Sequence, residues 1–509
     1  SNNTNWVDGP AGTDTHQVPG STSDVFFSAN SATNLTTTLD GSYTINSLNF
    51  TSTGTTADSS NVTIANGTGT NTLTINGGGI SDASTSAAHS ISANVVLGAD
   101  QVWSNTSTGL LTVSGSVTGV SKFLTVGGPG NTLISGAIQT ISGGLTKNGT
   151  GTLIISSASN NYLGNTVVTL GTLQLGADNA IPSGTGKGNV TVNGTLDVNG
   201  HDQQINGLTG SGTIDNTAAA TSKTLTVGAN NQTSTFNGVI QNTGGTLAVT
   251  KTGTGALTLI GNSTYTGDTN VNAGKLVVSG SLQGNVNVAP GATLASGNNI
   301  LSAIKALSVA SDALGGGTLA PGDTGGPGTS TIGKLTVQGN VTLGTTLSTG
   351  VAHLSMELGG TTAGASYDQI VISGGSLNLA NVYLDGSFVG GFTPTGATYD
   401  DNSHTLNHDG QVFYLITGSN LPITTTFANQ GAPDGNFAGT GSPYSTITIG
   451  NQLFAISYHA NFNGGASSTF ESGGNDVAIM AIPEPNAMSM LAGSLGLALG
   501  LQRLRRRRS

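Results

Sequence analysis

The densest gathering of groups able to do chemistry is YDDNSHTLNHDG, residues 399–410, which holds Asp400, Asp401, His404, His408 and Asp409. His404 and His408 stand four apart, a spacing that would present two metal ligands on one face of a helix. Asn402, Ser403, Asn407, Asp409 and Gly410 favour a loop or hairpin instead. The zinc-protease pattern also needs a Glu directly after its first His, and here Thr405 follows. A polar, solvated loop is therefore expected, with metal binding over Asp400–Asp409 as the alternative. Glycoside hydrolysis would need two carboxyls about 5–9.5 Å apart. Only Glu357, Glu471 and Glu484 are glutamates, so the acids would have to be aspartates, and none stands in a recognisable catalytic setting. A β-elimination would need a placed base, yet the eight lysines are scattered and arginine is absent before residue 503. No catalytic residue, cofactor site or metal site is assigned, and the chain reads as non-enzymatic. Lys147, Lys251, Tyr162 and Tyr265 recur in register, which speaks for packing, and Trp6 and Trp103 read as packing or capping residues rather than sugar platforms.

Composition points the same way. In 509 residues only 7% are charged and 5% aromatic, while glycine supplies 80 positions. The surface must be dressed in Thr, Ser, Asn and Gly. The net charge is -11 with all five arginines in the last seven positions, so the body without them stands near -16. Nucleic acid is excluded as a partner, because phosphate binding needs clustered Lys and Arg. Cysteine is absent, and a long buried core can replace disulfides. Ser1-Asn2-Asn3-Thr4 shows no secretory leader, so the numbering is expected to start at a mature end or after an omitted leader.

The elements that must position any site are short strands. NVTIANGTG, NTLTINGGG, GLLTVSGSV, NVTVNGTLDVNG and KLVVSGSLQG alternate Val, Ile or Leu with Thr, Ser or Asn and end in Gly or Asn turns. Period-two alternation predicts half-buried strands, and no helical stripe occurs before residue 486. Self-similarity selects the architecture. TKNGTGTLIIS (146–156) returns as TKTGTGALTLI (250–260), and NYLGNTVVTLGTLQL (161–175) as TYTGDTNVNAGKLVV (264–278). Lys147 matches Lys251, Tyr162 matches Tyr265, Thr166 matches Thr269 and Gly171 matches Gly274. Units that cannot bury their apolar side alone are what solenoids stack. An all-β, right-handed parallel β-helix (β-solenoid) is expected, with roughly 20–25 residues per coil, stacked Asn and Thr ladders at the turns and Gly at φ > 0 corners. A β-sandwich array is the competitor, and it predicts hairpin-joined neighbours. Residues 301–480 hold 14 of the 24 aromatics, which suits closure of a solenoid end. The expected organisation is 1–300 as repeat-containing β-helix, 301–480 as terminal coils with an aromatic-rich cap, and 481–509 as a tail.

The repeated segments resemble the autotransporter-associated β-strand repeat, K-x-G-x-G-x-L-x-L followed by Y-x-G-x-T-x-V-x-x-G-x-L-x-L, over about 70 residues. The stretches LAPGDTGGPGTSTIGKLTVQGNVTL (319–343), YDQIVISGG (367–375) and GGNDVAIM (473–480) resemble the distal ends of passenger-like proteins. The resemblance implies a secreted β-helix on a bacterial surface and names no ligand. GGNDV (473–477) also resembles the calcium-binding nonapeptide roll, which needs tandem copies; one copy leaves it an ordinary turn.

The tail has three parts. Pro483-Glu484-Pro485 is stiff and extended; Ala487–Leu501 is uncharged and expected to form a short hydrophobic helix; Arg503, Arg505, Arg506, Arg507 and Arg508 follow. Fifteen residues are short for a bilayer, which takes about 17–25, although Arg and Gln can snorkel. The arginines would halt translocation and keep residues 1–485 outside. This ending resembles the PEP-CTERM sorting signal of Gram-negative bacteria. That resemblance implies recognition and cleavage by an exosortase-type processing enzyme, transient anchoring in the inner membrane, and release to the cell surface or extracellular matrix alongside exopolysaccharide. A scaffold or adhesin-like surface protein is the expectation, self-associating into fibres if its end caps poorly. The alternative is a carbohydrate-binding or polysaccharide-degrading β-helix. A true autotransporter would end in a membrane barrel.

Overall fold

The alternating pattern resolves into strands, and every regular element among the described residues is a strand. The computed structural model describes residues 7–8, 13–14, 18–27, 36–51, 61–67, 70–85, 87–297, 303–312, 315–322, 332–344, 350–397, 399–400, 405–406, 410–431, 445–463, 468–470 and 474–482. The hydrophobic helix expected beyond residue 486 falls outside them. The chain divides into two compact units, one of residues 1–276 and 280–284, the other of 277–279 and 285–509.

In the first unit the strands stack as parallel ladders. Gln101 pairs with Leu124, Leu124 with Leu145, Leu145 with Thr166, Thr166 with Val190 and Val190 with Leu208, so a coil along this face takes 18 to 24 residues. A second face runs from Leu111 through Thr132, Leu153, Leu173, Leu196 and Ile214 to Ile240, again in parallel register. A third stacks Leu73–Ile75 on Val95–Leu97, with Val117 on Val95 and Ile138 on Val117. Each strand alternates buried and half-buried positions, as in Thr152–Ile155 and Thr172–Leu175. The coil is a parallel β-solenoid, and the hairpin-joined sandwich is excluded for this unit's stacked faces. Each inward Leu, Ile or Val buried in this way stabilises the fold by about 1.5–3 kcal/mol.

The corners depart from one expectation. Buried Asn105, Asn160, Asn206 and Asn216 do not form a ladder with each other. They bond backbone groups instead: Asn160 donates to the carbonyl of Ala180 and accepts from the N–H of Ile138, and Asn206 donates to the carbonyls of Gly184, Lys187 and Gly188. A coil corner leaves main-chain groups pointing inward, and a buried one must find a partner, so the backbone outcompetes the neighbouring amide. A hydroxyl ladder does occur between Thr191 and Thr209, 2.9 Å apart.

In the second unit parallel ladders join Val286–Val288 to Leu307–Val309 and then Val341–Leu343, and Lys334–Val337 to Gln369–Ile372. The order then changes. Val412–Gly418 is parallel to Gln369–Ile372 but antiparallel to Asp476–Ala481, which pairs antiparallel with Gln452–Ala460, itself antiparallel to Ser445–Ile449. Tyr367, Phe388, Phe392, Phe413 and Phe454 pack together beneath these strands, with ring centroids 5.4–6.3 Å apart. The aromatic-rich segment thus turns a parallel stack into an antiparallel sheet over a broad apolar base.

Two substitutions test the column. Leu173, wholly buried between Leu153 and Leu196, should lose about 2–5 kcal/mol on replacement by Ala, with hydrogen-exchange protection falling first in residues 150–215. Thr132 is buried between Leu111 and Leu153, and its hydroxyl has no hydrogen-bond partner among the described residues. Thr132→Val should therefore raise the denaturation midpoint, by about 1 kcal/mol of stability.

Candidate functional site

The repeated motif places a lysine where an aliphatic residue belongs. Trp103, Val126, Lys147, Val168 and Val192 form one inward column, and Ile205, Val227, Lys251 and Val271 form its counterpart in the second copy. Lys147 is 2% exposed and Lys251 1%. The column forces each stem inward, and its tip turns toward the coil corner. Lys147 Nζ donates to the carbonyls of Gly149 at 2.5 Å and Leu170 at 3.4 Å; Lys251 Nζ donates to those of Thr252, Gly253 and Ala273 at 2.6, 2.9 and 3.1 Å. Leu170 and Ala273 lie one coil further on than the lysines. Each ammonium therefore ties the turn of its own coil to the turn above.

The other repeated residues complete this corner. Gly171 and Gly274 sit at φ of 69° and 65°, and a Cβ on Gly171 would fall 2.1 Å from the carbonyl oxygen of Gly149. Only glycine fits, because the two turns stack carbonyl against backbone. At the neighbouring corner Tyr162 and Tyr265 are buried, with each hydroxyl paired to a threonine four residues on: Tyr162 to Thr166 at 2.7 Å and Tyr265 to Thr269 at 2.6 Å. Burial pushes both lysine ammoniums down to about 8 and both tyrosine hydroxyls well above their usual range. These groups are inaccessible, and their chemistry is to hold turns together.

One constellation that sequence reasoning missed resembles hydrolytic machinery more closely. Asp82, Ser84 and His89 converge: Ser84 Oγ donates to Asp82 Oδ1 at 2.7 Å, and His89 Nε2 lies 3.2 Å from Ser84 Oγ. The N–H of Val62 donates to His89 Nδ1, so the ring proton sits on Nε2 and the imidazole donates to the serine. A nucleophilic serine needs a histidine that takes its proton. The ring also stacks on Phe50 at 4.3 Å, and all three residues are at most 3% exposed. No substrate can reach them. The three lie within eight positions, and their spacing matches no catalytic motif that the sequence could have signalled.

The residues singled out earlier scatter. Trp103 is buried, its indole N–H donating to Gln101, as a packing residue would be; Trp6 lies outside the described residues. Tyr399–Asp400 and Thr405–Leu406 pair antiparallel as two short strands, while Asp401, His404, His408 and Asp409 lie outside the described residues. Among the described residues no group of three His, Asp or Glu is placed to hold a metal. Pro483, Glu484, Pro485 and Arg503, Arg505, Arg506, Arg507 and Arg508 also lie outside them, and among those described no helix is long and apolar enough to cross a membrane.

Stacked parallel ladders with structural corner motifs define a protein of the β-solenoid class. The family model of the passenger-associated-transport-repeat matches residues 145–175 and again 249–278, the two segments that carry the lysine–glycine corner and the Tyr–Thr pair. Over those segments the chain is similar to autotransporter-associated repeat proteins. No curated protein matches the chain.

The buried cations make stability depend on pH. Each lysine titrates near 8 in the fold and near 10.5 unfolded, so between these values the unfolded chain binds more protons and stability rises with pH. Above about 10 the unfolded tyrosines ionise while the buried ones stay protonated, and stability falls. Denaturation midpoints should therefore climb from pH 8 to about 10 and drop beyond it. Lys147→Met with Lys251→Met should flatten the climb. Gly171→Ala should lower the midpoint at every pH, by more than about 1 kcal/mol.

Proposed function

We propose that this protein is an exported, non-enzymatic structural component of a bacterial surface or extracellular matrix, a passenger-type right-handed β-solenoid sorted by its C-terminal tail. One observation carries the reading: the motif that the passenger repeat model matches is spent wholly on joining coils, in both copies. Right-handed coiling is the sense that parallel strand connections take. The near-absence of charge and the segregation of every arginine to the last seven positions support a body that crosses a membrane and a tail that stops it. In this reading an exosortase-type enzyme acts at Pro483-Glu484-Pro485, the run 487–501 and the arginine cluster anchor the chain transiently in the inner membrane, and the released body joins exopolysaccharide outside.

The absence of catalysis is part of the same proposal. The burial of the acid–serine–histidine cluster and the N–H of Val62 donating to His89 Nδ1 are in keeping with that reading. Mass spectrometry of protein recovered from cells and medium tests the sorting step. The exterior form should end near Pro483–Pro485, and an exterior form intact to Ser509 would overturn processing. Replacing Arg503, Arg505, Arg506, Arg507 and Arg508 by Gln together should reduce the cell-associated intermediate, read by fractionation.

A further inference from the structure

The second unit carries a groove of about 1000 Å³. Its floor is the sheet where Val371 pairs with Thr417, which is 7% exposed, and Lys334 with Gln369. Its far wall is Asp476, whose carboxylate accepts the N–H of Gly418 at 2.8 Å and that of Phe462 at 2.7 Å. These two bonds join the chain at 418 and at 462 to one carboxylate. Exposed Asn420 and His459 and half-buried Asn461 line the rim. Asn420 takes a φ of 51°, the left-handed conformation that asparagine tolerates.

The lining selects a chemistry. The size is at the upper end of ligand sites, about 300–1000 Å³. Amides and hydroxyls dominate, each able to donate and accept at once, and the charges amount to one ammonium, Lys334, against one carboxylate, Asp476. A polyanion would find no cationic cluster. A peptide adding as a strand would need a free edge, and Gln369–Ile372 is paired on both sides. A chain of neutral sugars, rich in hydroxyls and free of charge, fits such a lining. Phe462, half-buried against Tyr414 at 5.0 Å, adds an apolar patch of the kind a sugar ring covers.

We infer that the groove between Lys334, Thr417, Asn420, Asn461 and Asp476 binds a neutral polysaccharide, and that through it the protein holds the matrix it is exported into. The inference rests on the extracellular reading for the presence of that ligand, and binding is measured on the purified full chain without it. In affinity electrophoresis, dextran in the gel should retard the protein and alginate should not. Asn461→Ala and Thr417→Val should each weaken retardation at least fivefold while leaving the thermal midpoint within about 2 °C, and Tyr383→Ala, outside the groove, should change nothing. Asn420→Gly keeps the positive φ and serves as the rim variant should either of the first two fail to fold. Retardation that survives these substitutions overturns the groove while leaving matrix association intact. Stronger retardation by alginate overturns the neutral assignment. No retardation by either polymer overturns glycan binding, whereas export is judged separately by C-terminal processing.

Discussion

The constraint on which the rest depends is register between coils. A parallel strand pair repeats about every 4.8 Å, so each inward side chain must land on another inward side chain in the next coil. Leu153 on Leu173 on Leu196 satisfies this, as does Ile134 on Ile155 on Leu175. Because the side-chain period along a strand is two, a slip of one residue would turn a whole column to solvent. Along the ladders described in the first unit, coil length varies from 18 residues (Val190 to Leu208) to 26 (Ile214 to Ile240) because turns absorb the difference while the strands keep their register.

The repeated motif makes sense against that constraint. Corners are where a coil has no ladder to hold it, and there the backbone of one turn meets the backbone of the next. Gly171 and Gly274 permit the approach, and the lysine ammoniums satisfy the carbonyls that the approach buries. A buried lysine is costly to desolvate, and it is kept in both copies at equivalent places. A neutral aliphatic residue would fill the same column but leave the stacked carbonyls without a donor. Polarity inside this solenoid therefore serves geometry, which also explains why the sealed Asp82, Ser84 and His89 cluster is as well bonded as it is inaccessible.

The two units pair their strands differently. Along the first, each coil offers its successor the same edge. In the second the sheet carrying Val412–Gly418 changes to antiparallel partners and sets aromatic rings beneath them. A polar groove lies beside Asp476 in this sheet, where regular parallel stacking gives way to antiparallel pairing.

Much of this was legible in the sequence. Alternation of Val, Ile and Leu with Thr, Ser and Asn determined strands, and the return of Lys147, Tyr162 and Gly171 as Lys251, Tyr265 and Gly274 determined a stacked repeat, because both patterns are local and periodic. The buried roles of the repeated tyrosines followed from repetition alone. The partners did not. That Lys147 reaches Leu170, that buried Asn160 and Asn206 bond the backbone, and that Gly418 and Phe462 meet on one carboxylate are contacts between positions 14 to 58 residues apart with no periodic signature. The turn from parallel to antiparallel pairing was equally hidden, since an alternating strand reads the same in either direction. Local chemistry determined what each residue prefers, and only the stacking of coils decided which residues meet.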